Sequence, residues 1–138
     1  MGDRCRVHGV VKTEDWPDFQ TITNVSLHTE QDFLPELTEF EDDQANYGLY
    51  DECRRAADSK LTFVLYNSAG DAYGKGMYVS LGDGVLHSAE CGEEGWPMVP
   101  LQADHTVCPE SLATAVAASK AEAAVRALHK EPEKAQED

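Results

Sequence analysis

The chain has 138 residues, of which 41% are apolar, and its 26 acids against 11 Lys and Arg give a formal net charge of −15. That length suits one compact domain with a real hydrophobic core. The charge argues against direct binding to phosphate-rich ligands, nucleic acid and anionic membrane alike, and favours a basic partner.

No apolar run approaches the ~18 residues of a membrane span. The first residues, Met-Gly-Asp-Arg-Cys-Arg, lack the apolar stretch of a signal peptide. The four cysteines are therefore expected as reduced thiols in a cytoplasm.

In chain order, Arg4 to Lys12 reads as a first strand. Cys5, Val7 and Val11 fall on one side and Arg4, Arg6, His8 and Lys12 on the other, so one side is solvated. Glu14 to Asp18 reads as a turn or short helical piece. Phe19 to His28, with Thr21, Ile22, Thr23 and Val25, favours a second strand.

Residues 30–53 are unusual. They hold Glu30, Asp32, Glu36, Glu39, Glu41, Asp42, Asp43, Asp51 and Glu52 with no Lys or Arg, interleaved with Phe33, Phe40, Tyr47 and Tyr50. Pro35 suits the first turn of a short helix running to about Phe40, with Leu37 and Phe40 sharing a face. Glu41 to Asn46 reads as a loop. A second helix is expected over about Leu49 to Ala57, with Leu49, Cys53 and Ala56 inward.

Leu61 to Cys91 reads as a three-stranded antiparallel meander: Leu61–Tyr66, Tyr73–Leu81 and Val85–Cys91. Asp83-Gly84 between apolar runs is a strong hairpin signal. Trp96-Pro97 and Val99-Pro100 suit an edge strand or extended loop, because proline is excluded from central strands. Pro109 marks a helix start, and Ser111 to His129 is helical, with eight alanines between Leu112 and Leu128. Ser119, Glu122, Arg126 and His129 form its polar stripe. Ala117, Ala121, Ala124, Val125 and Leu128 lie opposite, as a small-residue face for a sheet or for a second subunit.

The expected fold is α+β: an antiparallel sheet of four to five strands with the meander 61–91 at its centre, backed by the Ala-rich helix, with short acidic helices or loops at 30–57. Residues 1–130 form one domain, and 131–138 a disordered polar tail. Leu61, Phe63, Leu65, Met77, Val79, Val85, Val116, Val125 and Leu128 are the expected core.

Two constellations carry candidate chemistry. The first is the acidic segment, where Glu36, Glu39, Glu41, Asp42, Asp43, Asp51 and Glu52 suit electrostatic steering of a basic partner, and Phe40 and Tyr47 suit desolvated anchors. The plainer reading makes the charges a solvated face and the aromatics core. The second is Cys5, His8, His87, Cys91, His105 and Cys108, which pair at spacings tolerable for zinc. Against a metal, Cys5 and His8 fall on opposite sides of a strand, and His87 and Cys91 sit about 13 Å apart along one. Plain buried thiols fit better, and no cofactor is expected. No nucleophile elbow, P-loop or HExxH is present, and the glycine runs at 70–76 and 82–84 sit at β-turns rather than strand-to-helix junctions.

In size, charge and lack of catalytic motifs, the chain resembles the small acidic proteins that phages and mobile elements turn against host defence, anti-CRISPR proteins and anti-restriction DNA mimics among them. The resemblance implies a non-enzymatic inhibitor acting in the host cytoplasm. Its partner would be a nuclease or CRISPR effector, blocked at its Lys/Arg groove. An immunity or antitoxin protein neutralising a basic toxin shares this physics. A small-molecule or zinc-binding module built on the meander is a third reading, and a homo-oligomer is open.

Overall fold

The computed structural model describes residues 4–27, 36–46, 49–68, 75–92 and 97–128, with backbone alone for 4, 5, 27 and 43–46. Ten elements follow in order. They are β1 (Arg4–Lys12), α1 (Trp16–Thr23) after a 3₁₀ turn at Thr13–Asp15, β2 (Ser26–Leu27), β3 (Leu37–Asn46), α2 (Tyr50–Asp58), β4 (Thr62–Asn67), β5 (Gly76–Leu81), β6 (Leu86–Cys91), β7 (Pro97–Met98) and α3 (Pro109–Arg126). The architecture is α+β. One antiparallel sheet runs in the order β2-β3-β1-β4-β5-β6-β7. The meander supplies β4, β5 and β6, and β4 is the middle strand of the seven. The sheet exceeds the expected four to five strands through β3 and the two-residue strands β2 and β7.

Strand periodicity sorts the core into two layers. Val7, Val11, Phe40, Phe63 and Leu65 point to one face, where Phe19 of α1 and Cys53 and Ala56 of α2 cover them. Val10, Leu37, Val64, Met77 and Val79 point to the other, beneath Ala118, Ala121 and Val125 of α3. The helices thus sandwich the sheet, α1 and α2 on one face and α3 on the other. At the centre of the α1–α2 face, the Phe19 ring lies 4.9 Å from Phe40 and 5.0 Å from Phe63, tilted contacts worth about 0.5–1.5 kcal/mol each beyond simple burial.

Several expectations are corrected. Residues 19–23 are helical rather than extended: Pro17 sits in the first turn and Asn24 closes the helix in a left-handed conformation, its N–H donating to the Gln20 carbonyl at 2.7 Å. The β-branched run misleads because Phe19 and Thr23, four residues apart and both buried, place one helical face on the core, and that packing outweighs local preference. Residues 37–46 form a strand, neither helix nor loop. Leu37 and Phe40 are three apart, so a strand turns them to opposite faces, and each enters a different core layer. Pro35 lies outside the described residues. β1 is an interior strand between β3 and β4, and its basic side is not wholly solvated, because Val10 there is buried in the core layer beneath α3. Val85 and Val116 are exposed, not core, and α3 seats Ala115, Ala118, Ala121 and Val125 on the sheet, leaving Ala124 exposed.

Other expectations match. β1 and α2 fall where expected, Leu49, Cys53 and Ala56 are buried, and β7 with Pro97 lies at the sheet edge.

Candidate partner-binding surface

The acidic segment is not one patch. Along β3 the alternation sends Glu39 and Glu41 to the α3 face and Asp42 to the α1–α2 face. Asp51 and Glu52 lie in the first turn of α2, where the helix dipole favours carboxylates, and belong to the layer over the α1–α2 face. Glu36 is exposed just before β3, and Asp43 is placed by its backbone within it. Phe40 is fully buried and belongs to the core rather than to any surface. Tyr47 lies outside the described residues.

On the α3 face, the basic side of β1 runs beside the acidic side of β3. His8 is in register with Glu41, Val10 with Glu39 and Lys12 with Leu37. The Arg6 guanidinium meets the Glu41 carboxylate at 3.3 Å. The two strands therefore balance much of each other's charge, and the field of Glu39 and Glu41 is blunted where they sit. Exposed pairs of this kind contribute only about 0–1 kcal/mol each.

A linked polar cluster continues from β1 across β4 to α3. His8 stacks on Tyr66 at 5.2 Å between ring centres. The Tyr66 hydroxyl donates to Glu122 Oε2, which also accepts from Arg126 Nε at 3.0 Å. Arg126 Nη2 donates to the Tyr66 oxygen at 3.0 Å, and its guanidinium lies 5.6 Å from the centre of the Tyr66 ring, a cation–π contact. Burial, with the Glu122 carboxylate beside it, pushes the Tyr66 phenol up to about 12. Burial and the charge of Glu122 also push the Cys91 thiol up. Sequence reasoning finds the Glu122–Arg126 pair but not its partners. The missing signal is parity: Tyr66 points with Val64 to the α3 face, and a polar helix stripe facing a sheet needs a polar group there.

Over the other face, α1 and α2 pack on each other and on the sheet, so their acids share one layer. Glu14, Asp18 and Asp51 are exposed and Glu52 is partly so. Two acids here have structural work. Asp15 Oδ2 accepts the Thr62 N–H at 2.9 Å, tying the 3₁₀ turn to β4, and Glu14 pairs with Lys12 at 3.0 Å. Arg54 and Arg55 on α2 temper the layer.

The Cys/His set disperses. His87 and Cys91 lie on β6, His105 at the tip of the 101–107 turn with φ +68°, and Cys108 at the cap of α3. Among the described residues no three of His, Cys, Asp and Glu converge as metal ligands, and Cys53, Cys91 and Cys108 are free thiols. Burial pushes the Cys53 thiol well up. Cys108 is held lower than an ordinary thiol by the Ser111 N–H and hydroxyl and the Glu110 N–H at the helix start. Among the described residues no helix is long and apolar enough to cross a membrane.

Fold and surface together define an acidic α+β domain in which the described acids of β3 and α2 are divided between the two faces of the sheet. Compared with known proteins, the chain matches no family model, no curated protein and no solved structure.

Proposed function

We propose that the chain is an acidic cytoplasmic binding protein that inhibits a basic, nucleic-acid-handling partner, a nuclease or CRISPR effector, by occupying its Lys/Arg surface. The observation that supports this reading is the shared layer of α1 and α2, which carries Asp18 of α1 with Asp51 and Glu52 of α2, from two separate stretches of sequence, over one face of the sheet in a chain with net charge −15. Clustered carboxylates steer a basic partner and raise its rate of association. The α3 face suits the role less well, because β1 supplies bases beside Glu39 and Glu41.

Affinity capture from a bacterial lysate at low salt, eluted in steps of rising salt, tests the proposal. The expected result is a nucleic-acid-handling enzyme released by salt and displaced by duplex DNA. Reversing Asp18, Asp51 and Glu52 to Lys should weaken that capture about tenfold or more while the circular dichroism spectrum stays unchanged. Capture that survives both high salt and the triple reversal would remove the acidic layer from the account.

A further inference from the structure

We draw no further inference here: the strongest candidate, the apolar outer side of α3 at Leu112 and Val116, 48% and 42% exposed, carries none, because nothing in the structure shows what covers it.

Discussion

The Tyr66 hydroxyl reaches from the middle strand of the sheet to the Glu122 carboxylate of α3, and Arg126 bonds both of them. Small side chains dominate the contact of α3 with the sheet, so this polar tie does much to fix where the helix lies. Tyr66→Phe keeps the ring under His8 and Arg126 and removes only the hydroxyl. It should cost about 1–2 kcal/mol, read from urea denaturation. Tyr66→Phe combined with Glu122→Gln should cost less than the sum of the two single changes, since both act on one network.

Alkaline pH should loosen the fold. Tyr66, Cys53 and Cys91 each have a pKa raised in the folded state, chiefly by burial. The folded chain therefore holds protons that the unfolded chain releases. This part of the stability is fully present below the unfolded values, about 8.5 for a thiol and about 10 for a phenol. It is lost as pH rises through them toward the folded values, which for Tyr66 is about 12. Melting temperatures measured upward from neutral pH should fall first with the thiols and then with the phenol. Cys53→Ala should reduce the earlier part of the fall, leaving the share of Cys91, and Tyr66→Phe should remove the later part.

Gly9 lies on β1 against the backbone of β4. A Cβ built there falls 1.9 Å from the Val64 carbonyl oxygen and 3.0 Å from the Phe40 ring. The first obstacle is backbone of a paired strand and cannot turn aside. Gly9→Ala should destabilise the domain by about 3 kcal/mol, measured by chemical denaturation, and should disturb the aromatic near-ultraviolet dichroism through Phe40.

Lys60 offers the opposite result. It follows α2 in a left-handed conformation, φ +65°. Its N–H donates to the Ala57 carbonyl and that of Leu61 to the Ala56 carbonyl, at 2.9 and 3.1 Å, the bond pair of a Schellman cap. Glycine is the residue suited to that position, and the Lys60 side chain is exposed. Lys60→Gly should stabilise by roughly 0.5–1 kcal/mol and raise the melting temperature.

Much of the fold is legible where one periodicity dominates. β1, the meander and the inward residues of α2 follow from alternation or from i, i+4 spacing alone. The two misreadings share a cause. Phe19–Thr23 is β-branched yet helical, and Leu37–Asn46 carries helix-like i, i+3 spacing yet is extended. In both, a single apolar pair fits either geometry, and only the second core layer, assembled from distant residues, decides between them. The acidic site was legible as composition but not as a surface. Whether Glu41 and Asp42 are neighbours or face opposite ways depends on β3 being a strand, which local sequence does not settle. The partnership of Tyr66 with Glu122 spans 56 residues and leaves no local trace.

The strand order has a consequence for how the chain is made. β1 leaves the ribosome before the other described strands of its sheet, yet it ends up inside that sheet, with β3 on one side and β4 on the other. Val7 and Val11 need one face covered and Val10 the other. Val10 pairs with Val64, so the first strand must wait, apolar on both faces, until the middle of the chain has been synthesised. Such long-range closure slows folding, and the wait is a window in which a nascent chain is open to chaperones and to wrong strand partners.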